Sequence, residues 1–416
     1  MPTGALSSIH YGYEKYFDSD ADTAVAWAGE YKTLSSTAIY TLGHGIKITS
    51  LERANNVENI WGLGSRSAMA NLEKQFTGSI SFDTILSNPA IFSFIMGAGL
   101  VVGTASGAST SIKAATSAYA GSYEFDVTDI TSMAVGDTLR LKNNSSDEDI
   151  VQIKSISGDT ITVFSPLVFD YVATNTVKEY NDTISDGLYI HVYKEMDDLP
   201  SIQIKNSIEL GGTDVQWLLK GCINNSAVIS TAVNEPVACK LTFDYMDEVK
   251  STDTFTEQLK ETYDVYSFAH GTLTFPRSTS LGNVQSVEVT ITQNDEVINT
   301  VGSRVGQTGV GKNREYKIDA SVYFENPAKL MTYFYEGDGS ATGPGNMEDA
   351  TLRLVFDNGQ AGSSNKTILL DFGKVKIDTD SLNQSVDAAI IEEVSMKARS
   401  CQVTAISNSK IPYIWP

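Results

Sequence analysis

The tripeptide Asn-Pro-Ala occurs at 88–90 and again at 326–328, 238 positions later, and each time it opens a short apolar run followed by glycine. In the first run Asn88 is placed to cap a helix by accepting a backbone N–H. Pro89 suits the first helical position, where its missing N–H costs nothing, and Gly99 is expected to end the helix in the left-handed conformation. Asn326, Pro327 and Gly337 take the same places in the second run. The match runs backwards without a gap: Asn56, Glu58, Ile60, Gly64, Ser65, Arg66, Lys74 and Ile80 recur as Asn294, Glu296, Ile298, Gly302, Ser303, Arg304, Lys312 and Ile318. Strand phase is kept too, with Ile80, Phe82, Thr84 and Leu86 matching Ile318, Ala320, Val322 and Phe324. A one-residue slip would turn every apolar side chain to the wrong face, so conserved phase constrains the fold strongly. The chain reads as an internal duplication.

The rest of the sequence is written in strands. β-branched and aromatic residues alternate at 76–85, 201–208, 239–244, 286–292, 317–324 and 351–356, punctuated by clusters such as Asp357-Asn358-Gly359-Gln360. After each predicted helix a second group of strands follows, at about 183–250 and 349–408. Within them Gly221-Cys222-Ile223-Asn224-Asn225 is read as a loose counterpart of Gly373-Lys374-Val375-Lys376-Ile377. The segment 104–181 has no counterpart in the second copy. It opens on a small-residue stretch, 103–110, expected to be a linker, and continues with short strands at 123–127, 138–141, 150–156 and 160–164, expected to form a small barrel or sandwich.

Composition narrows the function. Thirty basic against 51 acidic residues give a net charge of −21, while charged residues are only 19 % of the chain and hydrophobic ones 41 %. Such a chain can bury a core and is not disordered, but it lacks the basic face that static phosphate binding requires. Cys222, Cys239 and Cys401 are too few and too scattered for a disulfide framework or a zinc cluster and are expected to be buried thiols. The opening residues show no charged-then-apolar leader pattern. The longest apolar run, 90–102, is interrupted by Ser93, Gly97 and Gly99 and is shorter than the roughly 20 residues a spanning helix needs. No membrane association is expected.

Motifs that suggest chemistry fail on inspection. Gly306-Gln307-Thr308-Gly309-Val310-Gly311-Lys312-Asn313 is one residue short of a phosphate-binding loop, but Asn313 replaces the hydroxyl and a strand pattern rather than a helix follows, so a flexible loop is expected. Asp18-Ser19-Asp20-Ala21-Asp22 imitates the start of a calcium loop but lacks glycine at the sixth place and glutamate at the twelfth. His10, His44, His191 and His270 show no metal-ligand spacing, and there is no nucleophile elbow. Neither catalytic residues nor a cofactor nor a metal is expected.

The segments 51–75 and 293–315 are different. Each is a long connection between two strands without a continuous apolar face, and each carries Gly-Ser-Arg at its middle. Connections of that length are uncommon unless they bind something or are disordered, and a mobile hairpin tip is the plainer alternative. They are read as arms that dock on neighbouring subunits, through Asn56, Glu58, Gly64, Ser65 and Arg66 in one and Asn294, Glu296, Gly302, Ser303 and Arg304 in the other.

The opening Tyr11-Gly12-Tyr13-Glu14-Lys15, the long segment before Phe76-Thr77-Gly78-Ser79-Ile80-Ser81-Phe82, and the Asn-Pro-Ala helix resemble major tail tube proteins of tailed phages and archaeal tailed viruses. The insert, with Val135-Gly136-Asp137-Thr138-Leu139 and Ser165-Pro166-Leu167, resembles the small decorating domains that many of them carry. The resemblance implies a β-sandwich flanked by a helix, strands joined sideways into rings of six domains, and long loops reaching the next ring. It also implies other tail proteins as partners (tape measure, terminators, baseplate or tip), synthesis in the host cytoplasm, and passage of double-stranded DNA through the lumen.

Combining that plan with the duplication gives a mainly β chain of two tandem tube-like β-sandwich domains, each with a short helix, plus a small all-β insert. The expected boundaries are an N-terminal arm at 1–30, a first tube domain at 31–103 and 182–262, the insert at 104–181, and a second tube domain at 263–416. Three chains would then supply six domains. Two other readings stand beside it: an exported adhesin or cell-surface layer protein, which should be monomeric, and a carbohydrate-active enzyme, which should show an aromatic cleft and a carboxylate pair.

Overall fold

The structure, a computed structural model, describes residues 7–17, 27–36, 38–64, 66–102, 105–113, 118–131, 133–143, 147–180, 189–209, 214–251, 256–258, 265–277, 279–324, 333–334, 347, 349–360, 366–383 and 389–407. It is mainly β and sandwich-like. The chain opens with β1 (Ser7–Phe17), β2 (Trp27–Ala28), β3 (Ala38–Thr41), β4 (His44–Ala54), β5 (Val57–Trp61), β6 (Ala68–Glu73) and β7 (Thr77–Ile85). Along β7 burial alternates, with Ile80 and Phe82 fully inside, as a half-buried antiparallel strand requires. The helix α1 (Ile91–Met96) and strand β8 (Gly97–Val102) follow.

The Asn88 carboxamide oxygen accepts the Ala90 N–H at 2.9 Å, and its Nδ2 donates to the Thr41 carbonyl at 3.1 Å. The expected start is corrected: Ala90 is the N-cap and Ile91 the first helical residue, so Asn88 and Pro89 lie in the turn before the helix, where the Pro89 carbonyl accepts the Phe92 N–H. The expected terminus at Gly99 is corrected. Gly97 (φ 108°) ends the helix, its N–H bonded to the Ser93 carbonyl, and Gly99 lies in β8 opposite Tyr193. All six helical side chains are buried, so packing ends the helix at the first residue free to turn. Asn326, Pro327 and Gly337 lie outside the described residues.

Strands β9 (Ala105–Ser111), β10 (Glu124–Asp126), β11 (Thr138–Lys142), β12 (Glu148–Ser157), β13 (Thr160–Val163) and β14 (Thr176–Tyr180) form a separate sheet ordered β10-β13-β12-β11-β14-β9. It has its own core, including Leu139, Val151, Ile161, Phe169 and Tyr171. The expected linker is therefore mostly a strand: Ala105 onward pairs with β14, and its small residues cover an edge instead of spanning a gap. Polar contacts fix this sheet to the rest. Lys194 and Asp149 form an ion pair with no exposure on either side, and Arg277 bonds Asp147 at 2.9 Å.

The remaining strands are β15 (Tyr189–Glu195), β16 (Ser201–Glu209), β17 (Asp214–Ala232), β18 (Ala238–Tyr245), β19 (Asp247–Ser251), β20 (Thr256–Gln258), β21 (Gly271–Thr274), β22 (Val284–Thr292), β23 (Glu296–Ile298), β24 (Thr308–Val310), β25 (Glu315–Tyr323), β26 (Ala350–Asp357), β27 (Thr367–Asn383), β28 (Ile391–Ala398) and β29 (Ser400–Ser407). One layer is a continuous antiparallel run, β4-β7-β18-β17-β22-β25-β28-β27. The facing layer includes β1-β16-β17-β19 beside the first half of this run and β21-β26-β27-β29-β15-β8 beside the second. One hydrophobic core fills the space between, from Tyr11, Phe82 and Phe243 through Ile291 and Ile318 to Leu370 and Val403.

The long strands β17 and β27 belong to both layers. The first part of β17 pairs with β16 and β19, and its last part with β18 and β22. β27 divides likewise between β26 and β29, then β28. At the crossing, Gly221 (φ 64°) and Lys374 (φ 51°) both take the left-handed backbone. This shifts the expected alignment by one residue: Gly221 matches Lys374, not Gly373, because a lysine here does the work the sequence led one to assign to glycine.

Pairing repeats between the two halves. Ala54 faces Thr77 as Thr292 faces Glu315; Ala238 faces Ile85 as Ile391 faces Tyr323; Ser230 faces Ala238 as Asn383 faces Ile391. The irregularity between Asn224 and Ser226 recurs between Ile377 and Thr379.

Candidate assembly surfaces

Both long connections are β-hairpins, not irregular loops. In the first, Asn56 (φ 48°) donates from Nδ2 to the Gln75 carbonyl at 2.9 Å, Glu58 and Lys74 form an ion pair, and Gly64 (φ 85°) lies near the tip. In the second, Asn294 (φ 52°) donates to the Asn313 carbonyl at 2.9 Å, Glu296 and Lys312 pair at 2.5 Å, and Gly302 has φ 95°. Asparagine tolerates the left-handed backbone, and its carboxamide closes the hairpin base. Arg66 is exposed; Ser65 lies outside the described residues.

The two hairpins differ in what they touch. The second lies against the body: Val297 packs on Leu199, Ile223 and Met246, and Ser303 Oγ donates to the Val305 carbonyl at 3.0 Å. Arg304 reaches the base of the first hairpin, where Nε donates to the Lys74 carbonyl at 3.1 Å and the guanidinium pairs with Glu73 at 2.8 Å. The first hairpin projects outward. Val57, Ile60, Trp61, Leu63, Met69 and Leu72 are all exposed, Leu63 completely. As expected it has no continuous apolar face, yet it is rich in exposed apolar side chains. Its apolar residues fall on both sides of a two-stranded ribbon, so no alternation marks them in the sequence. The segment resembling a phosphate loop contains β24, which pairs with β23, and no helix follows it.

A second surface is the pair of edges of the eight-stranded layer. Among the described residues, β4 pairs only with β7, and the last part of β27 only with β28. Asp380 of β27 and Glu392 of β28 form a carboxyl pair there. Burial together with the neighbouring Asp380 raises Glu392 to about 7, and burial raises Asp380 as well. One oxygen of Asp380 is buried without a hydrogen bond. Sequence reading missed this pair, since neither residue has an unusual neighbour in the chain.

Among the described residues no group of three or more His, Cys, Asp or Glu side chains is arranged to hold a metal; residues 18–22 are not among them. All three cysteines are buried and free, with burial pushing the Cys239 thiol up to about 12. No described helix is long and apolar enough to cross a membrane.

A sandwich-like β chain that ends in open sheet edges and an apolar projecting ribbon has the features of a structural, self-associating protein. The model of the phage tail tube protein family matches residues 4–398, and the chain belongs to that family. It is a structural protein of the virion tail. No curated protein matches the sequence.

Proposed function

We propose that this chain is the major tail tube subunit and that it carries two tube domains, 31–103 with 182–262 and 263–416, the first interrupted by the decorating insert 104–181. Three chains close a ring with pseudo-sixfold symmetry, rings stack, and genomic DNA passes through the lumen. The observation that carries this reading is the repeated register: β4-β7-β18-β17 and β22-β25-β28-β27 share pairing and one bulge position. A repeat of that kind argues for two copies of one domain, joined within the chain as ring neighbours would be.

The first hairpin is suited to ring-to-ring contact, because its exposed apolar side chains would be covered by a stacked neighbour. The second hairpin, with Asn294, Glu296, Gly302, Ser303 and Arg304, has much of its surface against its own chain and would brace the first. A net charge of −21 allows a lumen that repels DNA phosphates. Tape measure, terminator and baseplate or tip proteins are the expected partners at the tube ends. The role needs no catalytic residue. Mass photometry of the smallest closed species tests the stoichiometry: three copies of the 45.0 kDa chain support the reading, and six copies contradict it.

A further inference from the structure

We propose that the free edge of β27 receives the free edge of β4 from a second copy of this chain, antiparallel, with Asp380 opposite Arg53. This rests on the ring reading and supplies its interface. The internal joint between the two halves is β17 with β22, where Ser226 faces Thr292, Ala227 faces Ile291, Val228 faces Thr290, Ile229 faces Val289 and Ser230 faces Glu288. The repeated register places 379–383 of β27 where 226–230 stands in β17, and 50–54 of β4 where 288–292 stands in β22. Transferring the joint puts Thr379 opposite Ala54, Asp380 opposite Arg53, Ser381 opposite Glu52, Leu382 opposite Leu51, and Asn383 opposite Ser50.

The chemistry of those pairs fits. Leu382 is exposed and Leu51 only partly covered, and they take the positions of the buried Ile229 and Val289. Asp380 and Glu392 stand where the first half buries Ala227 and Cys239. The internal joint needs no charge there; the outer one has an acid pair on one edge and a guanidinium on the other. Arg53 already pairs with Glu248 at 2.6 Å and lies over the Trp217 ring, which holds its charge at the edge. Directly opposed residues have Cβ atoms about 4.5–5.5 Å apart, within reach of a charge-assisted contact. The unpaired backbone groups of both edges are satisfied at the same time.

Cysteine cross-linking tests the register on the full chain. Ser381 and Glu52 are both exposed, and the three native thiols are buried. The double variant Ser381→Cys with Glu52→Cys should form intermolecular disulfides on mild oxidation. A slipped control, Leu382→Cys with Glu52→Cys, keeps Asp380 and Arg53, puts the thiols on opposite faces of the sheet and should link about tenfold less. Rings seen by electron microscopy without the in-register link, or with the control linking equally, overturn the register while leaving the ring reading intact. Failure of the unsubstituted chain to form any oligomer overturns the ring reading itself.

Discussion

Asn56 and Asn294, 238 positions apart, hold the same left-handed backbone and make the same bond, each donating from Nδ2 to a carbonyl nineteen residues further on at 2.9 Å. Each closes the base of a hairpin whose ion pair, Glu58 with Lys74 or Glu296 with Lys312, is also repeated. The hairpins nonetheless differ in their surroundings, one packed against the body and one exposed. Replacing either asparagine with alanine removes the bond and strains the backbone, which should cost about 1–2 kcal/mol each. Urea unfolding of both variants checks this. Glycine should recover part of the loss, because it accepts the backbone but cannot make the bond.

Exposed apolar residues on the first hairpin should matter for assembly and not for folding. Changing Trp61 and Leu63 to serine should alter unfolding free energy by less than about 0.5 kcal/mol, as surface substitutions do, while shortening tubes seen in negative stain. Unchanged tube length would remove the hairpin from ring-to-ring contact.

Lys194 and Asp149 bind the insert to the body without solvent exposure, and Asp149 also accepts the Val168 and Phe169 N–H groups at 2.9 and 3.0 Å and the Tyr171 hydroxyl at 3.1 Å. Lys194→Met leaves a buried carboxylate unpaired and should cost about 3–5 kcal/mol. The double variant Lys194→Met with Asp149→Asn should regain part of that, measured by chemical denaturation.

Glu14 is fully buried, and burial raises it from 4.5 to about 7 despite donors from Lys32, Ser201 and Gly221. A carboxyl raised in the folded state favours the fold fully below its unfolded value, and that contribution is lost as pH rises through about 7. At 1.36 kcal/mol per pH unit, Glu14 alone makes the chain about 3 kcal/mol less stable at pH 8 than at pH 4. Burial also raises Asp295 to about 7, in the same direction. Thermal melts of the parent and of Glu14→Gln across this range should show a shallower dependence in the variant.

Much of this architecture is legible in the sequence because it is written in phase. β7 and β25 begin and end 238 residues apart, and the alternation that buries Ile80 and Phe82 also buries Ile318 and Ala320. What escapes is set by tertiary contact. Gly99 looks as good a helix terminator as Gly97, and only the pairing of β8 with β15 decides between them. Lys374 gives no local sign of a left-handed backbone, so the crossing in β27 aligns one residue out. The ribbon β5–β6 has apolar residues on both faces and reads as irregular. Asp380 and Glu392 sit on different strands, and only the sheet brings them together.

The most direct test of the duplicated-subunit tube is cryo-electron microscopy of the assembled protein with the number of chains per ring counted from the map. Three chains per ring, each filling two of six equivalent positions with 46–85 over 284–323, is the predicted result. Rings of six chains, or compact monomers at every concentration, would contradict it.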